Sequence, residues 1–368
     1  MRSGTRLIVD LSLLKKNIEL LKKEYAPENE IIFMIKADAY GHGIEQVLEY
    51  SFTEAGIKIF GVASFEEALF CRKALPELDF DIWVFSDLAL FENKSNYQKY
   101  KITPVLHDIE QVEIFNKNIE FKSLPLVIKF NTGMNRLGIS EDELSELIIL
   151  LKNHNIKSID HIMTHLSSSY LPKRSDDMTS AQLLRFEKIK EELKKNDISF
   201  KASSCANSGA IEQKRGLEES HIRPGLMLYG PQSTFTKKRL WKGSLISKLE
   251  VRILKISTLK SGETFGYGNT RLSEDGYLIN LAIGYGDGIS TSLQNTYLKH
   301  LDLQIKGRVN MDMLFLFSKT KPKLSVGDQI TLWSEDYQQI QELCEASGRI
   351  PYEILTNITQ RVPRVYNK

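Results

Sequence analysis

The sequence predicts an α/β protein built on parallel strands, joined to a smaller domain that is mainly β. Three observations predict it. The first two-thirds alternates short apolar runs with amphipathic helical segments, the pattern of strands linked by crossover helices. At residues 231–243 the texture breaks into PQSTFTKKRLWKG, polar and basic with no apolar period, which reads as a linker. Beyond it, strand signals follow one another with few helices between them. The chain has 368 residues, above the roughly 250–300 at which single cores stop growing. Domains at residues 1–235 and 236–368 are therefore expected.

The elements follow in order. IIFMI at 31–35 is a continuous apolar run, as in a strand covered on both faces. A second strand is expected at 59–63; Ser64 and Glu67 after it have the spacing of a capping box that opens a helix. Runs at 82–85, 124–128 and 159–163 continue the series. Ser140 and Glu143 repeat the capping-box spacing, and Leu144, Ile148 and Leu151 then share one helical face. A closed barrel and an open doubly wound sheet both satisfy this alternation, although no GxGxxG follows the early strands. In the second domain Leu249, Val251 and Ile253 alternate with Glu250 and Arg252 as in a half-buried strand. Further strands are expected at 277–283, 301–305, 313–317 and 329–333, with one helix near 340–347.

Composition narrows the function. Lys and Arg number 49 against 47 Asp and Glu, a net charge of +2 that gives no field for steering nucleic acid or an anionic membrane. No run approaches the roughly 18–20 apolar residues of a membrane span. Asp10 and Lys15 interrupt the first apolar segment, so a secretory leader is not expected and a cytoplasmic location is. Cys71, Cys205 and Cys344 are odd in number and widely spaced, which fits neither a disulfide framework nor a CxxC metal site.

Lys36 carries the most chemistry. It ends the 31–35 run and precedes a small, turn-prone segment. A lysine at the end of a buried strand is costly as a bare cation, so it is paired or partly deprotonated. A free, desolvated amine is what Schiff-base chemistry requires. The plain alternative is a lysine that extends to solvent beside Asp38.

IKADAYGHG at 35–43 resembles the cofactor-lysine segment of alanine racemases, a pyridoxal-phosphate family. Collinear segments are similar to further parts of that family: NTGMNRLG at 131–138, MTHL at 163–166, SSCANSGA at 203–210 and IRPGLMLYG at 222–230. FGYGNT at 265–270, IGYGDG at 283–288, GRVNMDM at 307–313 and PYE…RVPR at 351–364 complete the set. The resemblance implies a TIM-like α/β barrel of eight parallel strands, a carboxyl-terminal β domain and a head-to-tail homodimer.

Carried over by position, the resemblance makes Lys36 the cofactor-bearing base and Tyr267, reaching the partner subunit's site, the second one. Racemisation removes a hydrogen from one face of an amino acid and returns it to the other, so two bases are needed. His165 would bond the tyrosine and the cofactor-facing Arg223. Guanidinium keeps its proton, so Arg223 would leave the cofactor ring nitrogen unprotonated. Phosphate would fall to Tyr40, Ser208, Tyr352 and the amides of Gly225 and Leu226. Arg136, Met311 and Tyr285 would meet the substrate, with Asp312 completing the Met-Asp pair. Lys129 matches a lysine that is sometimes carbamylated; a plain salt bridge is the alternative.

Two departures stand out. Asn131 replaces a common aspartate, and Thr291 lies where the family often has an arginine on the substrate corridor. The implied activity is interconversion of L- and D-alanine, which family membership links to peptidoglycan. Other readings are a serine, lysine or broad-range racemase, a related decarboxylase whose phosphate loop and cysteine motif are not found, and a non-catalytic pyridoxal-phosphate-binding protein. The last typically lacks a second domain.

Overall fold

The computed structural model describes residues 4–87, 90, 92, 94–174, 177–234 and 238–368. The expected domain boundary at 235/236 lies outside them. The chain opens with strand β1 (Arg6–Asp10). Eight parallel strands then close into a barrel: β2 (Glu30–Met34), β3 (Ile59–Val62), β4 (Asp81–Val84), β5 (Ile102–Leu106), β6 (Val127–Lys129), β7 (Ser158–Met163), β8 (Ser199–Asn207) and β9 (His221–Arg223). Pairing of β2 with both β3 and β9 closes the ring, which decides between the two topologies the alternation allowed. Both faces are filled. Ile32, Trp83, Val105, Val127 and Met163 pack inside the barrel, while Ile31 and Phe33 turn outward to the core beneath the helices.

The second sheet collects β10 (Ser247–Leu259), β13 (Gly276–Leu281), β14 (Tyr297–Leu298), β15 (Leu303–Ile305), β16 (Leu314–Ser318), β17 (Gln329–Trp333) and β18 (Arg364–Asn367). A small hairpin of β11 (Thr264–Phe265) and β12 (Thr270–Arg271) stands apart. β1 joins this sheet too, antiparallel to β10 and parallel to β18, so the strand at the start of the expected barrel segment 1–235 is built into the other sheet.

Two local expectations need correction. The described residues of the expected linker are packed and not loose: Gln232, Ser233 and Thr234 are buried, and the Trp241 ring is fully buried against Tyr25. Ser64 Oγ does cap the helix Phe65–Ala74 by accepting the Glu67 N–H. The Glu67 carboxylate, however, does not return to Ser64; it accepts from Ala63 and Ala37 at the barrel mouth. At the other site Glu143 accepts from the Ser140 amide and hydroxyl, and its helix begins later, at Leu144.

Candidate active site

The carboxyl ends of β2, β6, β7, β8 and β9 converge on one mouth of the barrel, where the fold leaves side chains free for function. A cavity of about 250 Å³ opens there, and Lys36, Tyr40, Lys129, Arg136, His165, Ser208, Arg223, Gly225 and Tyr352 all line it. Nine of the site residues expected from sequence thus meet in one place.

Lys36 follows β2 directly and begins an unusual turn. Ala37, Asp38, Ala39 and Tyr40 all have φ between 52° and 55°, four successive non-glycine residues in the left-handed region. Each such residue costs roughly 1–2 kcal/mol, so the turn must be held from outside. Glu67 Oε1 accepts the Ala37 N–H at 2.6 Å, and Asp38 Oδ1 accepts from Ile44 at 2.8 Å. Arg364 binds from the second domain, donating to Gly41 O at 3.0 and 3.1 Å and to the carbonyls of Ile358, Thr359 and Val362. Gly41 itself has φ +82°, and a Cβ there would lie 2.3 Å from Leu355 O. This turn aims Lys36 at the cavity. The lysine is reachable by solvent through the mouth, yet the enclosing walls, then Arg136, lower its pKa, with Glu67 opposing them.

Lys129 at the end of β6 is buried, and desolvation followed by repulsion from Arg136, Arg223 and Lys36 lowers its pKa to about 8. Among the described residues neither Lys129 nor Arg136 has an ion-pair partner, so the salt bridge allowed for Lys129 is not formed. Asn131 offers no charge; its side chain instead accepts from Gly133 and Asn135 and shapes the loop that presents Arg136. The cavity is strongly positive and suited to anions.

Arg223 is buried, with its guanidinium donating to Ser204 Oγ at 2.5 Å, Cys205 O at 3.3 Å and Thr164 O. Burial lowers its pKa to about 10, which still leaves it a cation at neutral pH. His165 is held well below the usual imidazole range by burial and then by Arg223, so it is neutral. Among the described residues no hydrogen bond joins the His165 ring to Arg223, in contrast to the expectation; Ser204 fills that place.

Hydroxyls gather at the far end. Ser208 Oγ accepts the Gly225 N–H at 3.0 Å, and a Cβ on Gly225 would lie only 2.3 Å from Tyr40 Oη, so glycine is required for this approach. Tyr40 stacks on Tyr229 and leans on Tyr352, whose hydroxyl meets Ser233 Oγ at 2.6 Å. Leu226 heads the turn Leu226–Tyr229, where a first amide has no partner within the turn.

Tyr267, Tyr285 and Met311 do not line this cavity. All three are exposed on the second domain, Tyr267 to 71% on the hairpin between β11 and β12. Arg349 shares a hollow with Tyr285, Ser290 and Thr291, so a cation stands beside Thr291 although none follows it in sequence. Sequence reasoning missed Arg349, Ser204 and the anchoring role of Glu67. The Glu67 signal was present, but its spacing pointed to a helix cap.

Comparison with known proteins decides the family. The family models "Alanine racemase, N-terminal domain" and "Alanine racemase, C-terminal domain" match residues 9–233 and 246–366. The chain belongs to the alanine racemase family. An alanine racemase of Nitrosococcus oceani is 30% identical, over 97% of this chain and 98% of its own. Among solved structures, an alanine racemase from Bartonella henselae with covalently bound pyridoxal phosphate superimposes with a TM-score of 0.85 at 26% identity, covering all of both chains. One from Bacillus anthracis with bound L-Ala-P gives 0.84 at 25%, covering 100% of this chain and 96% of that one. The protein is an enzyme of this pyridoxal-phosphate-dependent family, and among the described residues no helix is long and apolar enough to cross a membrane.

Proposed function

We propose that the enzyme interconverts L- and D-alanine with pyridoxal phosphate held at Lys36. The observation that carries this reading is the convergence of a pKa-lowered Lys36 amine, the Arg223 guanidinium and the hydroxyls of Tyr40, Ser208 and Tyr352 on one cavity. Those groups fit the coenzyme: an amine for its aldehyde, a permanent cation for its ring nitrogen, and neutral donors beside a glycine for its phosphate. When bound, pyridoxal phosphate supplies an electron sink that acidifies the α-hydrogen of an amino acid.

The remaining chemistry belongs to the chain. Tyr40, Ser208, Tyr352 and the amides of Gly225 and Leu226 bind the phosphate. Arg223 keeps the ring nitrogen unprotonated, because its own proton is held to about 10. Arg136 meets the substrate carboxylate. Lys36 Nζ takes the α-proton of the D-isomer, and the enclosing walls followed by Arg136 lower its pKa, which favours the free amine over the ammonium. Tyr267 of the partner subunit takes the α-proton of the L-isomer from the opposite face. The exposure of Tyr267, Tyr285 and Met311 on the second domain supports a head-to-tail homodimer in which each subunit completes the other's cavity. Lys129 with added CO2 becomes a carbamate and pairs with Arg136. The division into a barrel domain and a β domain falls near residue 235, with β1 lent to the second. The enzyme works in the cytoplasm and supplies D-alanine for peptidoglycan.

The test is α-hydrogen exchange in deuterated water across a panel of L- and D-amino acids. Incorporation of deuterium into both alanine enantiomers is expected, and serine or lysine as the preferred substrate would replace the reading with a different racemase. No exchange by enzyme that holds the coenzyme would overturn catalysis altogether.

A further inference from the structure

Glu212 is a buried carboxylate that the chemistry above does not use. It ends the five-residue helix Ser208–Glu212, whose first residue presents the Ser208 hydroxyl to Gly225. The Glu212 side chain is 4% exposed, and among the described residues no cation pairs with it. Both of its oxygens are engaged by consecutive backbone amides: Oε1 accepts from Ser233 at 2.7 Å and Oε2 from Thr234 at 2.9 Å. A carboxylate buried without a cation is costly, and here the two N–H bonds are what it fixes. Burial moves its pKa up to about 7, against the pull of those bonds.

The segment so fixed has one functional neighbour. Ser233 Oγ lies 2.6 Å from Tyr352 Oη, and Tyr352 lines the cavity next to Tyr40. Either oxygen can donate in that pair, and the choice has a chemical consequence. A phosphate monoester offers only acceptors when it is a dianion, so Tyr352 can bind it only by pointing its own O–H into the cavity. That requires Ser233 to donate to Tyr352 and not to accept from it.

We infer that Glu212 and Ser233 are positioning residues for the phosphate of the coenzyme: the carboxylate clamps the Ser233–Thr234 backbone, and Ser233 donates to Tyr352 Oη, leaving the phenolic hydrogen for the phosphate. This rests on the reading of the cavity as the pyridoxal-phosphate site. One short helix then sets two of the three phosphate hydroxyls, Ser208 directly from its first residue and Tyr352 indirectly from its last.

The test compares pyridoxal phosphate with pyridoxal, which lacks the phosphate, as ligands of the apo full-length enzyme. Binding is read from the visible absorbance that each aldehyde develops on joining Lys36. Ser233→Ala is expected to weaken pyridoxal phosphate about tenfold, the worth of one hydrogen bond to a charged acceptor, and to leave pyridoxal within about twofold. Ser233→Thr, which keeps the hydroxyl, restores the affinity. Glu212→Gln, which can accept only one of the two amides, shifts the same ratio in the same direction. A parallel loss for both aldehydes, or no loss in Ser233→Ala, overturns the positioning role while leaving the cavity reading intact. Wild-type enzyme that develops no absorbance with pyridoxal phosphate overturns both.

Discussion

Replacing Lys129 with methionine should stabilise the apo enzyme at neutral pH, although it removes a residue of the active site. Lys129 has lost most of its water at the end of β6 and faces Arg136, Arg223 and Lys36 with no anion beside it among the described residues. Its pKa falls from 10.5 to about 8, and at about 1.36 kcal/mol per unit the buried ammonium destabilises the fold by about 3 kcal/mol. Below pH 8 this penalty is present in full. Between pH 8 and 10.5 the folded chain has released a proton that the unfolded chain still binds, so stability rises with pH across that window. Urea unfolding in CO2-free buffer measures the effect. Lys129→Met should exceed wild type by about 3 kcal/mol at pH 7 and by about 1 kcal/mol at pH 9.5. A variant less stable than wild type at pH 7, or a gap that ignores pH, would refute the reasoning. The same lowered pKa leaves roughly a quarter of the amine neutral near pH 7.5, the form that adds CO2 and loses a proton to become a carbamate. Labelled bicarbonate should therefore stabilise wild type, but not Lys129→Met, and give a new carbonyl signal by carbon NMR.

Two further outcomes concern the left-handed turn. Glu67→Ala removes the acceptor for Ala37 and Ala63 and, among the described residues, the one carboxylate that shifts the Lys36 pKa. It should cost about 2 kcal/mol in urea unfolding, and the pH at which Lys36 joins pyridoxal should move down; an upward shift would count against the assigned electrostatics. Arg364→Ala strips the donor from the carbonyls of Gly41, Ile358, Thr359 and Val362. A loss of about 3 kcal/mol is expected, together with weakened coenzyme retention, because the turn loses its tie to the second domain. Retention equal to wild type would show that the turn stands without that tie.

Parts of the barrel were legible where an apolar run stood out in the sequence, whereas β5, buried at every position, was missed because Thr103 and Pro104 interrupt its run. Residues 31–35, 59–63 and 82–85 are apolar because helices cover one face and the barrel interior the other, whereas 159–163 mixes apolar residues with Asp160 and His161. β8 escaped notice because Ser199–Asn207 is largely small and polar; its serines serve Arg223 and Glu219 and not a periodic apolar face. The place of β1 could not be read at all, since its partners β10 and β18 lie more than two hundred residues away. Lys36 was found from its position after a buried strand, but the shape of its turn was hidden. Ala37, Asp38, Ala39 and Tyr40 carry no glycine to announce positive φ, and contacts distant in sequence, with Glu67 and Arg364, help to hold them there. Polar character misled in the opposite direction beyond residue 231, where buried Trp241 and the Glu212-bound amides of Ser233 and Thr234 are packed into the structure.

The central claim is that an amine from one subunit and a phenol from its neighbour act on the same substrate. Mixing two inactive variants, Lys36→Ala and Tyr267→Phe, after subunit exchange tests it most directly. Random pairing makes half of the dimers mixed, each with one intact composite cavity of two, so racemisation should return to about a quarter of the wild-type rate. Activity that stays at the level of the separate variants after verified exchange would contradict it, and would place both groups within a single subunit or remove the tyrosine from catalysis.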